Sequence, residues 1–403
     1  IIANGTMEAP IRIYGKNEEP GYWLGIRIDS NSSENSFDYV SVEHAGGDKL
    51  ETFSEPANVL VQDGRLKVKN STFSNSDGFG IAHREGSTFG EFANNLFENN
   101  ATGSLHMTAN NLGELDNAST YNDPVHVEDG EVTEDATWPA VDSFYAIVGN
   151  VSIESAEITI EAGSNFEISD TRRINFEVDS SIIANGTMEA PIRFYGKSAE
   201  PGYWVGMRID SKNSNNSFDY VSIEHGGSDK LETFSEAANL LVLDGRIKIN
   251  NSTFSNSAGY GIADEDATEF LEFSSNLFEN NASGAMHISA GNIGELDNAS
   301  TYNGPVVVTD SDTVTNDQTW PAIDSHFEFE SNIDFEDGTQ TLEAGIELRF
   351  GSARRLNFRE DAVFVAVGTE ADPIFIRGTT QAPGFWAGLA FFTKDLNTRL
   401  SYV

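Results

Sequence analysis

The sequence contains no cysteine among its 403 residues, and this absence excludes disulfide bonds, thiolate metal sites and cysteine nucleophiles. No run of about 18 consecutive apolar residues occurs, so no segment has the composition of a membrane-spanning helix. Basic residues are scarce: 24 Lys and Arg stand against 64 Asp and Glu, a formal net charge of −40. Because contacts to phosphate need Lys and Arg, this balance argues against nucleic acid and, without bridging cations, against anionic membranes and acidic polysaccharides.

Apolar residues are sufficient for a core. Hydrophobic residues make up 38% of the chain and aromatic residues 11%, which is too apolar a composition for a disordered protein. The length alone is compatible with two or three domains or with one elongated solenoid. A search for internal repeats decides between these arrangements.

The chain repeats itself. Residues Ile1–Pro10 recur unchanged as Ile182–Pro191, a shift of 181 residues. The self-similarity predicts a first copy at 1–181 that starts inside a repeat, a second at 182–363 and a partial third at 364–403. The segments 113–143 and 294–325 are predicted to be either a joint between stacked units or a longer loop.

Within each copy a shorter period appears. Phe73 and Phe97 lie 24 residues apart in similar Asn-rich surroundings, and Phe254 and Phe278 repeat this spacing. Short runs that alternate apolar and polar residues are separated by Gly, Asn, Asp and Ser clusters, which is typical of strands and turns. The sequence therefore predicts an all-β right-handed parallel β-helix, a solenoid built from tandem repeats of 181 residues. Phe and Ile stacks would fill its interior, and Asn amides would bond along its corners. An array of all-β sandwiches is the alternative.

Three motifs support this fold. Gly-Thr-x-x-x-Pro-Ile begins at Gly5, Pro-Gly-(Tyr/Phe)-Trp-x-Gly at Pro20, and Phe-Asp-Tyr-Val-Ser-(Val/Ile)-Glu-His at Phe37. Together they resemble the right-handed parallel β-helix repeat proteins of bacterial cell surfaces, a superfamily similar in fold to pectate lyases. The resemblance covers essentially the whole chain and implies the fold. It does not imply one activity, because members include adhesins and stalks.

Two sets of residues are weak candidates for ligand binding. The tryptophans of the repeated Pro-Gly-(Tyr/Phe)-Trp motif could stack on sugars, although flanking glycines favour a packed corner. The paired arginines, rare in so acidic a chain, could grip an anionic sugar or the carboxylates of a neighbouring molecule, although an intramolecular ion pair is favoured. The candidates are Trp23, Trp204, Trp386, Arg172, Arg173, Arg354 and Arg355.

Calcium is the one cofactor that the sequence suggests. Hard cations need several carboxylate and carbonyl oxygens, and two equivalent loops are rich in acids. The weak candidate ligands are Glu128, Asp129, Glu131, Asp310 and Asp312. Neither loop matches an EF-hand or the Gly-rich nonapeptide that binds calcium in β-rolls, so a merely solvated acidic loop is favoured.

Histidines are the remaining candidates for chemistry. Glu43 and His44 alternate to opposite faces of a strand, which favours a corner His bonded to backbone over an acid–base pair. His106 and His287 are expected at the surface. The stretch His83–Thr88 differs most between the copies and predicts an exposed loop.

These observations predict a structural or adhesive segment of a long extracellular repeat protein, at a cell surface or in a secreted filament. Every candidate recurs about once per copy, whereas an enzyme usually has one site, so no enzyme and no catalytic residue are predicted. We expect partners to be flanking repeats or further copies joined end to end, because Ile1 and Val403 show no polar cap. Glycans or another cell surface are further candidate partners. The alternatives are a carbohydrate-binding or polysaccharide-degrading β-helix protein, and a passive stalk that presents a binding domain outside this segment.

Overall fold

The chain folds almost entirely into parallel strands. The computed structural model describes residues 1–52, 54–84, 86–233, 235–265, 267–309, 313–395 and 397–403. Two short 3₁₀ helices interrupt the strands, and none of the helices in these ranges is long and apolar enough to cross a membrane. The chain divides into two compact units: unit 1 holds Ile1–Arg172 and Gly186–Phe194, and unit 2 holds Arg173–Asn185 and Tyr195–Val403.

Unit 1 contains short strands and one 3₁₀ helix, η1 (Ala109–Glu114). Its strands are β1 (Ile2–Asn4), β2 (Ile11–Tyr14), β3 (Ile26–Ile28), β4 (Ser36–Asp38), β5 (Val40–Glu43), β6 (Ala57–Val61), β7 (Arg65–Lys69), β8 (Thr72–Ser74), β9 (Phe79–His83), β10 (Thr88–Ala93), β11 (Leu96–Glu98), β12 (Gly103–Thr108), β13 (Thr120–Tyr121), β14 (Val125–Glu128), β15 (Gly130–Val132), β16 (Ala136–Trp138), β17 (Tyr145–Ile147), β18 (Val151–Ile153), β19 (Glu157–Ile160) and β20 (Asn165–Ile168).

Unit 2 has the same character and contains η2 (Ala290–Glu295). Its strands are β21 (Arg173–Phe176), β22 (Ser181–Asn185), β23 (Ile192–Gly196, shared with unit 1), β24 (Gly206–Ile209), β25 (Ser217–Asp219), β26 (Val221–Glu224), β27 (Ala238–Leu243), β28 (Arg246–Asn250), β29 (Thr253–Ser255), β30 (Tyr260–Glu265), β31 (Glu269–Ser274), β32 (Leu277–Glu279), β33 (Gly284–Ser289), β34 (Thr301–Tyr302), β35 (Val306–Thr309), β36 (Gln318–Trp320), β37 (Phe327–Phe329), β38 (Ile333–Phe335), β39 (Thr339–Leu342), β40 (Glu347–Phe350), β41 (Arg355–Phe358), β42 (Val363–Val367), β43 (Phe375–Gly378), β44 (Gly388–Phe391) and β45 (Arg399–Ser401).

Strands pair mostly with the third strand along the chain. In unit 1 the ladders run β1-β4-β7-β10, β2-β5-β8-β11-β13 and β3-β6-β9-β12-β14-β17-β20, with the pairs β15-β18 and β16-β19. In unit 2 they run β21-β24-β27-β30-β33-β35-β37-β40-β43, β22-β25-β28-β31, β26-β29-β32-β34, β36-β39-β42-β45 and β38-β41-β44. Parallel stacking of this kind is compatible with the predicted β-helix and argues against the sandwich alternative, whose sheets are antiparallel.

Aromatic rings stack in register through the interior, as the sequence predicts. The Phe97 ring lies 5.3 Å from the Phe73 ring and 5.6 Å from the Tyr121 ring, nearly parallel to both. In the second copy the Phe254 and Phe278 rings lie 5.4 Å apart. These rings are almost fully excluded from solvent, so each contributes burial as well as stacking.

Corner asparagines bond along the stack, which confirms the second expectation. The Ser71 amide donates to Asn95 Oδ1 (3.1 Å), and Asn95 Nδ2 donates to the Val68 carbonyl (3.0 Å). The Asn95 amide in turn donates to Ser119 Oγ (2.8 Å). Asn276 repeats all three types of bond in the second copy. Each such amide therefore satisfies backbone groups that a tight corner would otherwise leave without partners.

The segment 113–143, predicted as a joint or a long loop, contains regular structure. Strands β13, β14, β15 and β16 lie within it, and each pairs in parallel with a neighbouring ladder strand. In its counterpart at 294–325, β34, β35 and β36 pair in the same way. Both segments therefore extend the ladders of their own unit.

Candidate functional site

An acidic groove lies in unit 1. It has a volume of about 1020 Å³ and is lined by η1 and by the residues around β15 and β16. The described residues of its wall include five carboxylates and several amides and hydroxyls, and none of these residues is basic. The acids are Glu114, Asp129, Glu131, Glu134 and Asp135.

Three of these acids also support the fold. Asp129 accepts a hydrogen bond from the Asn150 amide, and Asp135 accepts one from the Glu157 amide at 2.8 Å. Glu114 Oε2 accepts one from the Phe89 amide at 2.8 Å, and burial raises the pKa of this carboxyl group. Glu131 and Glu134 are exposed, and no hydrogen bond that supports the fold is assigned to either of these groove acids.

The groove contains two of the calcium candidates, Asp129 and Glu131. Glu128 does not line it: its Oε2 lies 3.5 Å from Arg84 Nη1 and 3.9 Å from His106 Nε2. Asp310 and Asp312 lie outside the described residues. Among the residues that are described, no group of three or more His, Asp or Glu has an arrangement that could hold a metal ion. Calcium binding stays a prediction.

Behind the groove a histidine is buried without a hydrogen-bond partner. His83 ends β9, is fully buried, and has no hydrogen bond at either ring nitrogen. Its Nε2 lies 3.7 Å from Glu114 Oε2, and its ring centroid 4.6 Å from that of Phe89. Desolvation lowers the pKa of His83 to about 4, so the ring is neutral at pH 7. The expectation that His83 lies in an exposed loop is wrong, because β9 continues to this residue and directs it inward beside Val61.

The second copy has a buried carboxylic acid at the equivalent position. Asp264 lies in β30 and is 2% exposed. Its Oδ1 accepts from the Ser289 amide (2.7 Å) and Ser289 Oγ (3.0 Å), and its Oδ2 accepts from Asn292 Nδ2 (2.6 Å). Burial raises the pKa of Asp264 to about 6 and that of Glu295, on the same 3₁₀ helix as Asn292, to about 7. The counterpart of the stretch His83–Thr88 therefore also begins with a buried residue.

The repeated tryptophans lie against the ladders. Trp23 and Trp204 donate their indole N–H to the carbonyls of Glu43 (2.9 Å) and Glu224 (2.8 Å). Trp204 is fully buried, so its ring faces protein on both sides, whereas Trp23 is half-buried. The half-buried ring of Trp386 stacks 4.7 Å from that of Phe350. Stacking on sugars is open to the two half-buried rings and stays a prediction for them.

The paired arginines differ in exposure. Arg172 is half-buried, and its Nε has no hydrogen-bond partner. Arg173 begins β21 and is exposed. Arg354 and Arg355 are both exposed. The nearby ion pairs among the described residues are made by Arg349, Arg359 and Arg377. Their role as anion ligands stays a prediction.

The other histidine candidates are more buried than expected. Glu43 pairs with Arg12 at 2.8 Å, which together with the Ser41 hydroxyl lowers the pKa of its carboxyl group. His44 follows with a left-handed φ of 63°, and its Nδ1 has no hydrogen-bond partner. The expected surface positions of His106 and His287 are wrong: they are 8% and 9% exposed. The ring of Phe79 packs against His106 and that of Tyr260 against His287, with centroids 5.1 and 5.3 Å apart.

Comparison of the chain with protein families, with characterised proteins and with solved structures gives no match. The site is therefore interpreted from its geometry alone. That geometry offers a polar, acidic groove in unit 1 and two different buried titratable groups at equivalent positions of the two copies.

Proposed function

We propose that this chain is a structural or adhesive segment of a long extracellular repeat protein. In this proposal the parallel ladders form a right-handed β-helix that serves as a stiff, acidic rod at a cell surface or in a secreted filament. Its partners are flanking repeats or further copies joined end to end, and glycans or another surface where it adheres. The proposed role is mechanical, and it assigns a catalytic role to no residue.

The observation that supports this proposal is the duplication of the interior stacks. Phe73, Phe97 and Tyr121 stack in one copy, and Phe254, Phe278 and Tyr302 stack in the other at nearly the same distances. Solenoids gain stability from such nearest-neighbour contacts, so added copies lengthen the protein without a new core. The net charge of −40 adds repulsion between neighbouring rods and opposes lateral clumping, most strongly at low salt.

Electron microscopy of the native material, at near-native salt and with and without a chelator, tests the proposal. We expect long filaments or stalks with a regular axial repeat. Loss of the regular filaments in the chelator would show that calcium stabilises them. Short separate particles without end-to-end contact, combined with cleavage of a glycan, would overturn the structural role.

The acidic groove favours a second candidate function, carbohydrate binding or polysaccharide degradation. Its amides, hydroxyls and carboxylates include Asn110, Asn111 and Thr133 beside Glu131 and Glu134, which are the polar groups that bind sugar hydroxyls. Two carboxylates are also the usual machinery of glycoside hydrolysis. A neutral or cationic glycan would suit the groove best, because like charges repel acidic sugars.

A paired variant distinguishes the two functions. Glu131→Gln with Glu134→Gln removes two groove charges, and Glu272→Gln in unit 2 is the control outside the groove. If the groove binds a neutral or amino-sugar oligosaccharide, the double variant should weaken binding about tenfold or more, while the control leaves it unchanged. Release of reducing ends that depends on Glu131 or Glu134 would establish an enzyme. Equal binding by all three proteins would remove the groove from consideration.

A further inference from the structure

The same buried position holds a histidine, His83, in the first copy and an aspartic acid, Asp264, in the second. In unit 2 Asp264 and Glu295 therefore form a cluster of carboxyl groups. We propose that Asp264 and Glu295 form a proton-binding switch: when protonated it fixes η2 to β30 and β31, and when ionised it releases η2. This role is independent of the structural or adhesive function proposed above.

The cluster connects three elements of unit 2. Asp264 of β30 accepts hydrogen bonds from Ser289, which ends β33, and from Asn292 of η2. Glu295, the last residue of η2, accepts a hydrogen bond at 2.7 Å from the amide of Phe270 in β31. The two carboxyl groups thus accept hydrogen bonds that connect η2 with β30 and β31, and Asn292 Nδ2 also donates to the Thr268 carbonyl at 3.1 Å.

The donors to both carboxyl groups are neutral. Asp264 receives an amide N–H, a hydroxyl and a side-chain amide, and Glu295 receives one backbone N–H. The surrounding charges do not favour ionisation either. Glu269 at the start of β31 adds a like charge. The basic groups of the paired strand β28 are engaged with other acids: Arg246 lies 2.9 Å from Glu269, and Lys248 lies 3.7 Å from Glu272.

Among the described residues, β33 and β36 also pack against η2. β33 carries His287, and burial lowers the pKa of this ring, so it is neutral at pH 7. On β27, which pairs with β30, Val242 lies opposite Asp264, and Asp244, an acid, follows that strand. From β36 the neutral Gln318 accepts from the Gly294 amide (2.9 Å) and donates to the Ala290 carbonyl (3.1 Å). Among the described residues, no basic group contributes to the pKa of Asp264 or Glu295. A second negative charge in this cluster would therefore be poorly compensated, and buried uncompensated charge is costly.

The energetics follow from linkage. Burial raises the pKa of Asp264 from 3.8 to about 6 and that of Glu295 from 4.5 to about 7. A carboxyl group whose pKa is raised in the closed state stabilises that state fully below its ordinary pKa, and this contribution is lost as the pH rises through the raised pKa. Closure of η2 is therefore strongest in mild acid and weakens between pH 5 and pH 8.

The absence of this device from the first copy gives a natural contrast. There His83 replaces the aspartic acid, and the Thr108 hydroxyl donates instead to Asn111 Oδ1 at 2.8 Å. Asn111 then donates to Glu114 Oε1 at 3.2 Å, and Glu114 Oε2 accepts from the Phe89 amide at 2.8 Å, so η1 is held through Glu114 without a buried aspartate. The titrating pair of carboxyl groups is a property of the second copy.

Hydrogen exchange of the full chain measures the switch. For the peptide covering residues 284–296, corrected for intrinsic exchange, we expect protection to fall at least tenfold from pH 5 to pH 8. The variants Asp264→Asn and Glu295→Gln remove one titrating group each and should reduce this fall, and Glu272→Gln, an exposed acid on β31, should leave it unchanged. Protection of η2 that does not change between pH 5 and pH 8 would overturn the proposal.

Infrared spectroscopy supplies a readout that does not depend on the stability of the variants. Protonated carboxyl groups absorb separately from carboxylates, so the wild-type protein should show a protonated-carboxyl band at pH 6 that disappears by pH 8. The band should weaken in Glu295→Gln, a nearly isosteric change, and persist in Glu272→Gln. A spectrum at pH 6 without this band, or with a band that Asp264→Asn and Glu295→Gln both leave intact, would show that the pair is ionised and that no switch exists.

Discussion

His83 in β9 and Asp264 in β30 occupy equivalent positions in the two copies, and each is almost completely buried. Burial has opposite effects on the two groups: it lowers the pKa of His83 to about 4 and raises that of Asp264 to about 6. In both cases the neutral form is favoured, because each group would carry its charge into a region without water. Acidification therefore weakens the first copy at this position and strengthens the second.

The first prediction concerns the pH dependence caused by His83. A histidine whose pKa is lowered from 6.5 to about 4 on folding stabilises the protein above pH 6.5 and loses that contribution as the pH falls towards 4. We expect the loss to be about 3.5 kcal/mol at most, since each pKa unit corresponds to about 1.4 kcal/mol. Denaturant unfolding of the wild-type protein and of His83→Leu, at pH 7 and pH 4.5, should show the variant losing less stability on acidification.

Many exposed carboxylates also titrate in this range, but they are the same in the wild type and in His83→Leu, so their contribution to the change in stability cancels. His83→Leu should also be as stable as the wild type or more stable at pH 7, because it removes two buried nitrogen atoms without partners. Equal losses of stability on acidification in both proteins would contradict the assignment.

The buried position of these two residues could have been predicted from the strand pattern. Ile81 and His83 stand two residues apart, so a strand that directs Ile81 inward directs His83 inward as well. The sequence difference between the copies pointed instead to an exposed loop. The sequence does not show which carboxyl group lies nearby: Glu114 and Glu295 are 31 residues further along, on a 3₁₀ helix whose placement depends on the stacked strands.

The second prediction tests the aromatic stack. Phe97 is fully buried between Phe73 and Tyr121, so Phe97→Ala removes both ring contacts and leaves a cavity. We expect a loss of about 3–5 kcal/mol in the free energy of unfolding. Calorimetry or denaturant unfolding measures it, and Phe278→Ala in the second copy should behave alike. Phe97→Leu should cost less, and a variant as stable as the wild type would show that the stack contributes little.

The third prediction concerns the corner amides. Asn95→Ala removes the acceptor for the Ser71 amide and the donor to the Val68 carbonyl, and both partners are buried. Leaving two buried backbone groups without partners should cost about 2–4 kcal/mol. Asn95→Asp keeps the acceptor and loses only the donor, so its unfolding free energy at pH 7 is expected to differ from that of Asn95→Ala. Amide exchange at Ser71 reports the lost bond directly, and unchanged protection there would argue against it.

Repeats in the sequence predicted the ladders but not the groove. The spacing of Phe73 and Phe97 reproduces the observed register because parallel stacking places like residues above one another. The groove arises from packing of η1 against β15 and β16, where short strands leave a depression beside Glu131. Strand patterns carry no information about such a depression, because it depends on how far apart the surface segments lie.

The last prediction concerns a close approach of backbone to backbone. A Cβ atom added at Gly259 would lie 1.9 Å from the Ala237 carbonyl oxygen, which accepts a hydrogen bond at 2.9 Å from the Tyr260 amide at the start of β30. Gly259→Ala must therefore move β30 away from this carbonyl, and we expect a loss of about 2–3 kcal/mol or more. Gly291→Ala is the matched control, because a Cβ atom there meets nothing within 4 Å. Denaturant unfolding of both variants measures the difference. Near-equal stability of the two variants would show that the strands can separate at Gly259 without cost, and it would contradict the prediction.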